Sequence, residues 1–384
     1  MPKVERALLG DLPEILEVSN RIFAGEDNRY FQTYHPALYK DGVNTATDHF
    51  ILREDGKIKG IVGWFPSVMN VLGERFEVCG IGTVCVEKEC RGKGYMRDIM
   101  EAILNEMKEK KTPISVLGGR RQRYEYYGYT PSGICSNFYF NYDNAKHVFS
   151  KDQKATYTFI VPDGSEKESF EKCLELYEKR PAYIERTAEG FYDCLCNCKS
   201  KPILIYKNGV IDGYASVSKD MSGINEYEIS DNSDSCRMLK DFMFAFDLKG
   251  VSARQIFHFE RAKLHALTKV CEGVNTSGAD SYFIQDYAKL ISAFGKLKAS
   301  YLKIPNGEVV IDIKGIQKIK ITAENNIIKA TETEEKEDIS IEPLEAVSAF
   351  FGQGAFNLEV AEKLPAFANA LFPLPLFFSI PDMI

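Results

Sequence analysis

The sequence predicts an α+β protein with more than one domain, and three observations lead to this prediction. First, the chain has 384 residues, and about one domain per 150 residues gives two or three domains. Second, apolar patterns typical of strands alternate with apolar patterns of helical spacing along the chain. Third, the order helix, hairpin, strand, helix occurs near the N-terminus and again beyond residue 150.

The composition argues against several functional classes. The chain is 45% hydrophobic and 27% charged, which is typical of a soluble globular protein. Its formal net charge of −7 argues against a protein whose main partner is nucleic acid. No apolar run reaches the ~18 residues of a membrane helix, and Pro373, Pro375 and Pro381 interrupt the apolar C-terminal stretch. We therefore predict neither a nucleic-acid partner nor a membrane segment.

The cysteines and the N-terminus predict a cytoplasmic protein with reduced thiols. Ten cysteines are present, but the segment from Met1 to Arg6 lacks the apolar core of a signal peptide. Cys194, Cys196 and Cys198 form the only cluster, and their spacing is not that of a zinc site. We predict no metal.

The first 120 residues predict two helices and several strands. Asp11 and Pro13 provide a helix start before a run with one apolar face. An Asp-Gly turn separates two alternating segments, which is typical of a hairpin. The predicted elements are, in order, a helix at 11–24, strands at 50–53, 57–71 and 76–86, a helix ending at Met107, and a buried strand at 114–117.

A short glycine-containing loop joins the third of these strands to the second helix. Gly92 and Gly94 remove side chains where a phosphate oxygen would approach the backbone, and Arg91 and Lys93 add positive charge. Because a helix start directs unpaired N–H groups outward, the loop suits a pyrophosphate. An ordinary basic surface turn is the alternative interpretation. No P-loop pattern is present, and the dinucleotide fingerprint that begins at Gly80 and Gly82 stops one glycine short, inside a predicted strand.

Two motifs of this region resemble those of the GNAT acetyltransferases. The loop Arg91-Gly92-Lys93-Gly94-Tyr95-Met96 is similar to their Arg/Gln-x-x-Gly-x-Gly/Ala loop, which binds the pyrophosphate of coenzyme A. After the next strand, Tyr124, Gly128 and Tyr129 match the pattern Phe-Tyr-x-x-x-Gly-Phe.

The resemblance implies an acetyl-CoA cosubstrate and several site residues. Main-chain groups of Val84 and Val86 would hold the pantetheine and polarise the thioester, and the amides of residues 91–96 would bind the pyrophosphate. Tyr124 would be the general acid, because a phenol of pKa ~10 stays neutral at pH 7 and can protonate the departing thiolate. Alternatively, the tyrosine-rich run packs the end of the sheet.

The region from residue 25 to residue 48 would lie over the acceptor site in a GNAT fold. It is rich in aromatic residues and turn formers. Glu26 and Asp27 would attract a cationic acceptor amine there, although two acids after a helix are also typical of a solvated surface.

The rest of the chain predicts two further domains. A second series of helix, hairpin, strand and helix lacks the Arg-x-x-Gly-x-Gly loop, so we interpret it as a degenerate GNAT-like copy without coenzyme A. A helix, strands at 302–304, 308–313, 318–321 and 326–330, and two more helices then resemble a sterol-carrier-type domain. The predicted domains are 1–150 (GNAT acetyltransferase), 151–280 (degenerate GNAT-like) and 281–384 (sterol-carrier-like, with a tail that reaches the active site).

This three-domain layout resembles the enhanced-intracellular-survival family, which acetylates aminoglycosides at several sites. In that family the loop ends in two bulky apolar residues, as Tyr95 and Met96 do here. The resemblance implies a homo-hexamer. It also implies that the C-terminal carboxylate, here that of Ile384, receives the acceptor proton. Family chains often end in an aromatic residue, so Ile384 departs from the pattern; a frayed terminus is the alternative.

Two functions are therefore carried forward. The first is an acetyl-CoA-dependent N-acetyltransferase, in which a primary amine attacks directly in a ternary complex. Its acceptor would be an aminoglycoside-like small molecule, a polyamine or a lysine side chain. The second is a non-catalytic sensor that binds acyl-CoA or a lipid.

Overall fold

The computed structural model describes residues 3–151, 154–278, 280–352 and 358–384. The chain forms two compact units. The first unit comprises Met1–Gly133, Asp280–Leu376 and Ile384, and the second comprises Ile134–Ala279 and Phe377–Met383.

The strands are, in chain order, β1 Val4–Arg6, β2 His49–Glu54, β3 Lys57–Val71, β4 Glu74–Val86, β5 Ile114–Leu117, β6 Thr130–Pro131, β7 Cys135–Asn141, β8 Tyr157–Ile160, β9 Ala182–Ile184, β10 Lys201–Lys207, β11 Val210–Val217, β12 Gly223–Ile229, β13 Gly250–Phe257, β14 Gly273–Ser277, β15 Ser281–Ile284, β16 Gly307–Ile313, β17 Gln317–Glu324, β18 Ile327–Glu332 and β19 Ile339–Ile341.

The α-helices are, in chain order, α1 Leu12–Ala24, α2 Tyr30–Tyr34, α3 Pro36–Tyr39, α4 Tyr95–Lys110, α5 Arg121–Tyr124, α6 Tyr142–Val148, α7 Lys167–Tyr177, α8 Ala188–Cys196, α9 Ser235–Ala245, α10 Arg261–Leu267, α11 Tyr287–Ala299, α12 Pro343–Phe351, α13 Leu358–Lys363 and α14 Ala366–Leu371. Among the described residues, no helix is both long and apolar enough to cross a bilayer.

The first unit is built on a sheet of strand order β1-β2-β3-β4-β5-β15-β6. Successive strand residues point to opposite faces, so the two faces carry different helices. The α4 residues Ile99 and Met100 pack in one core with Ile81, whereas Ile15 of α1 packs in another core with Ile61. The helical and strand patterns predicted for this region are therefore present.

The sheet opens between β4 and β5. These strands pair in parallel from Val78 opposite Ile114 to Ile81 opposite Leu117. Because β5 ends at Leu117, β4 continues from Gly82 to Val86 without a described β5 partner on that side. In the described residues, the β5 side of β4 therefore has no strand partner from Gly82 onward.

The C-terminal part of the first unit has its own sheet, of order β18-β17-β16-β19. The strands predicted at 308–313 and 318–321 lie within β16 and β17, and the one at 326–330 overlaps β18. The strand predicted at 302–304 is wrong. The Ile304 N–H donates to the side-chain Oδ1 of Asn326 at 2.8 Å, which replaces the strand ladder that the prediction assumed.

The second unit has a sheet of order β14-β7-β13-β12-β11-β10-β8. Its strands β10, β11, β12 and β13 repeat the arrangement of β2 to β5, with two antiparallel pairings and then a parallel one. Residues 134–150, which the sequence analysis grouped with the first domain, lie in this unit because β7 pairs with β13 and β14. Sequence position alone did not reveal that pairing.

A buried ionic network holds the tail segment Phe377–Met383 within the second unit. Arg186, whose side chain is 1% exposed, lies 2.7 Å from carboxylate oxygens of both Glu226 and Asp382. Burial alone would raise the pKa of Glu226, but Arg186 and Arg180 lower it to about 2. Asn197 Nδ2 also donates to the carbonyl oxygen of Pro381 at 2.9 Å. This segment is therefore packed and hydrogen-bonded.

Candidate active site

The centre of the candidate site is an irregularity in β4. Ile61 of β3 lies opposite Cys85, but Gly63 lies opposite Gly82, so two β4 residues, Thr83 and Val84, face the single residue between them on β3. Thr83 has a φ of +52°, which is unusual for a β-branched residue. This β-bulge bends the strand and redirects the Thr83 side chain.

The loop after β4 has the geometry of an anion site. Gly92 and Gly94 have φ values of +83° and +90°, a region that favours glycine, and Gly94 is the N-cap of the 16-residue helix α4. The first N–H groups of α4 have no partner within the helix. Lys93 precedes the helix, and its N–H is already used: it donates to the Cys90 carbonyl oxygen at 3.3 Å and closes the turn.

The two basic side chains of the loop differ in their availability. Lys93 Nζ lies 3.0 Å from a carboxylate oxygen of Glu54, so its charge is already paired. Arg91 is exposed, and no ion pair to it occurs in the described part of the chain. Tyr95 is buried in the core with α4, so its main-chain N–H is the group it can offer a ligand; Met96 is half-buried beside it.

Tyr124, the predicted general acid, ends α5 with its ring 7% exposed. The ring packs over Gly119, where a Cβ would lie 2.9 Å from Tyr124 Cε2. Burial raises the pKa of Tyr124, which keeps the phenol neutral. Within the described ranges, no residue hydrogen-bonds its hydroxyl. The motif glycine, Gly128, has a φ of +88° and no room for a side chain, because a Cβ would lie 2.9 Å from Phe283.

Ile384 lies directly on β4 in the first unit. A Cβ at Gly80 would lie 1.6 Å from Ile384 Cδ1, and a Cβ at Gly82 would lie 3.2 Å from the terminal carbonyl carbon and 3.3 Å from its oxygen. Ile384 also packs against the aromatic cluster of Phe31, Tyr39 and Phe65. Both glycines are therefore needed where the terminal residue lies.

The two predicted acceptor-binding acids lie in the segment between α1 and α2. Glu26 and Asp27 are both exposed, and Asp27 Oδ1 accepts the N–H of Arg29 at 3.1 Å. Their part in acceptor binding stays a prediction. Two aromatic residues of the same region, Phe31 and Tyr39, belong to the cluster against which Ile384 packs.

Sequence reasoning missed a buried hydrogen-bonded row beside the terminal residue. Tyr39 Oη lies 2.6 Å from Thr83 Oγ1 and 2.9 Å from His49 Nε2. From the sequence, Tyr39 is only one of the aromatic residues between residues 25 and 48. No local pattern identifies His49 or Thr83, because the bulge that brings them together depends on strand register.

The comparisons with known proteins agree with this geometry. Residues 3–132 match the family model described as acetyltransferase (GNAT) domain. No curated protein matches the sequence.

Three solved structures resemble the whole chain. A probable N-acyltransferase from Enterococcus faecalis has a TM-score of 0.69 at 14% identity, covering 100% of this chain and 97% of that one. A GCN5-related N-acetyltransferase from Anabaena variabilis has a TM-score of 0.65 at 16% identity and covers 100% of both chains. Eis1 from Mycobacterium abscessus has a TM-score of 0.64 at 13% identity, covering 99% of this chain and 98% of that one.

These findings confirm two predictions. The α+β fold with a GNAT arrangement is confirmed, since the N-terminal domain matches that family and the structural likeness extends over the whole chain. The prediction of an N-acetyltransferase is confirmed by the domain match. At 13 to 16% identity, the solved structures add evidence for the fold alone.

Proposed function

We propose that the protein transfers the acetyl group of acetyl-CoA to a primary amine by direct attack in a ternary complex. The observation that carries the proposal is the contact of Ile384 with Gly80 and Gly82, by which its carboxyl group would lie next to the bulged strand β4. The side of β4 that lacks a strand partner and the glycine loop before α4 would bind acetyl-CoA.

Acetyl-CoA would bind along the open edge of β4. The main-chain groups of Val84 and Val86 would pair with the pantetheine, and the N–H groups of residues 92 and 94–96 would surround the pyrophosphate. Arg91 would supply the unpaired charge. A polarised thioester carbonyl next to strand N–H groups is stabilised as its oxygen becomes negative.

The reaction needs one proton donor and one proton acceptor. The amine nitrogen attacks the thioester carbon, and the C–S bond then breaks. Tyr124 would protonate the departing thiolate, which its neutral phenol suits. The Ile384 carboxylate would orient the acceptor ammonium and take or relay its proton, although a carboxylate of pKa ~3.5 is a weak base.

The acceptor classes that suit this site are aminoglycosides, polyamines and lysine side chains, which all carry cationic primary amines. Glu26 and Asp27 would add negative charge to the segment between α1 and α2, which would lie over the acceptor site. From the family resemblance we also propose a cytoplasmic homo-hexamer and a sterol-carrier-like fold for residues 281–384. Light scattering during gel filtration tests the hexamer.

Thiol release from acetyl-CoA, measured with neomycin, spermidine and a lysine-containing peptide, tests the function. Tyr124→Phe should lower kcat by about 10²-fold, as loss of one catalytic donor does, while the Kd of acetyl-CoA is unchanged. Tyr126→Phe is the matched control, because Tyr126 is 77% exposed. Acetyl-CoA binding without thiol release from any amine would favour the non-catalytic sensor, and an unchanged kcat would remove Tyr124 from the mechanism.

A further inference from the structure

We infer that Thr83 binds the acceptor amine: its hydroxyl oxygen accepts a hydrogen bond from an acceptor N–H, and Tyr39 and His49 hold it in the orientation for doing so. Thr83 would touch the substrate, whereas Tyr39 and His49 act as positioning residues. The inference rests on the proposed acetyl transfer and adds a binding group to it.

The direction of each hydrogen bond in the row follows from its partners. His49 Nδ1 lies 2.9 Å from the carbonyl oxygen of Thr45 and 3.3 Å from that of Ala46. Carbonyl oxygens only accept, so Nδ1 carries the proton, and Nε2 of the neutral ring must accept. The Tyr39 hydroxyl therefore donates to His49 Nε2, and the Thr83 hydroxyl donates to Tyr39 Oη.

This order leaves Thr83 Oγ1 with lone pairs and no proton to give. In the part of the chain that is described, Oγ1 makes no hydrogen bond besides the one to Tyr39. A group that binds Thr83 Oγ1 must therefore donate an N–H or O–H. Tyr39 and His49 are themselves 2% and 0% exposed, so water cannot readily reorder the row.

The row orients Thr83 and does not serve as a proton store. Burial lowers the pKa of His49 to about 4, against its backbone hydrogen bonds to Thr45 and Ala46. A proton on the ring is therefore less stable than on a free imidazole of pKa ~6.5. At neutral pH the ring stays neutral, and the tautomer that fixes the row is maintained.

The strand register directs the row toward the terminal residue. His49 lies opposite Gly63, and Gly63 lies opposite Gly82, so the three share one face of the sheet. A Cβ at Gly82 would meet the Ile384 carbonyl carbon at 3.2 Å, and Thr83 follows Gly82 directly in β4. Tyr39 belongs to the same cluster as Ile384.

The arrangement selects an amine over an alcohol. A primary amine or ammonium has at least two N–H groups, so one can face the Ile384 carboxylate while another donates to Thr83 Oγ1. An alcohol has one O–H and cannot satisfy both acceptors. An acceptor-only oxygen beside a carboxylate is therefore a recognition site for primary amines.

Thr83→Val and Thr83→Ser form the matched pair for the test, because valine keeps the branched shape and serine keeps the hydroxyl. Thr83→Val should raise the KM of the acetylated amine, neomycin or spermidine, about tenfold, with kcat changed less than about twofold. Thr83→Ser should restore KM, and Tyr39→Phe should raise it. The Kd of acetyl-CoA should stay unchanged. An unchanged KM in Thr83→Val would overturn the inference.

Two measurements decide the question without turnover. Spermidine and neomycin are titrated calorimetrically into protein saturated with coenzyme A; the Kd in Thr83→Val should rise about tenfold, and an equal Kd or no binding to the parent overturns the inference. Amine binding of this kind without thiol release would refute the proposed catalysis alone. ¹⁵N NMR of labelled histidine, assigned with His49→Asn, should show a protonated Nδ1; a protonated Nε2 would overturn the inference.

Discussion

Gly82→Ala gives a direct test of the carboxylate of Ile384. A methyl group at this position would lie 2.9 Å from Ile384 Cγ2, 3.2 Å from the terminal carbonyl carbon and 3.3 Å from its oxygen, whereas carbon atoms in contact prefer about 3.5–4.0 Å. The carboxyl group must therefore retreat by a few tenths of an ångström. A misplacement of about 1 Å can cost about 10²-fold in rate, so we expect kcat to fall about tenfold or more.

Gly80→Ala is the informative comparison, because its contacts with Ile384 are with side-chain atoms alone. Its Cβ would lie 1.6 Å from Cδ1 and 2.9 Å from Cγ1, but 3.6 Å from Cβ. Ile384→Ala removes both clashing atoms, so the Gly80→Ala/Ile384→Ala double variant should match Ile384→Ala alone. The same second change should rescue Gly82→Ala only in part, because it removes Cγ2 at 2.9 Å but leaves the carboxyl atoms in place.

The assay measures kcat, the KM of the amine and the Kd of acetyl-CoA for each variant, together with its melting temperature. Gly273→Ala controls for alanine in a strand, since no atom lies within 4 Å of its Cβ position. Full kcat in a stably folded Gly82→Ala protein would refute a catalytic role for the carboxylate. Full rescue of Gly82→Ala by Ile384→Ala would refute a clash with the carboxyl group.

Three further predictions concern binding and stability. Arg91→Ala should weaken acetyl-CoA binding about tenfold by calorimetry, because a charge-assisted contact to phosphate is lost; an unchanged Kd would contradict this. Asp382→Asn should cost about 3 kcal/mol in urea unfolding, because it leaves the buried Arg186 short of one partner, whereas Glu342→Gln in an exposed pair should cost under about 1 kcal/mol. Burial raises the pKa of Asp280 to about 6, above its ordinary ~3.9. Because the folded state favours the protonated carboxyl group, the contribution of Asp280 to stability should fall as pH rises from ~4 to ~6. Asp280→Asn should abolish this fall and be up to about 3 kcal/mol more stable than the parent at pH 7. Equal pH profiles of the two proteins would contradict it.

The sequence predicted the features that depend on neighbouring residues. Gly92 and Gly94 adopt the left-handed conformation at the start of α4, which the spacing of glycines and helical apolar residues indicated. The position of Tyr124 after β5 followed from the order of motif and strand. In each case the determinants lie within a few residues, so periodicity and glycine content are sufficient.

The features that depend on register were beyond sequence reasoning. The run of apolar and small residues predicted β4 as one strand, but the bulge at Thr83 appears only when β4 is aligned with β3. His49 gave no sequence signal, because its side-chain partner Tyr39 lies 10 residues away and Thr83, the next residue of the row, lies 34 residues away. The pairing of β7 in the second unit and of β15 in the first leaves no trace in the pattern of either strand.

The segment from Cys79 to Gly82 explains why an incomplete glycine motif stands in the middle of a core strand. Successive residues face opposite sides of the sheet, and Cys79 and Ile81 pack in the core with α4. Gly80 and Gly82 face the other side, where their lack of side chains leaves room for Ile384. A glycine pair that resembled a nucleotide fingerprint thus has a different physical cause, the close approach of Ile384. Substitutions of Ile81 should therefore act on stability, and substitutions of Gly82 on the position of Ile384.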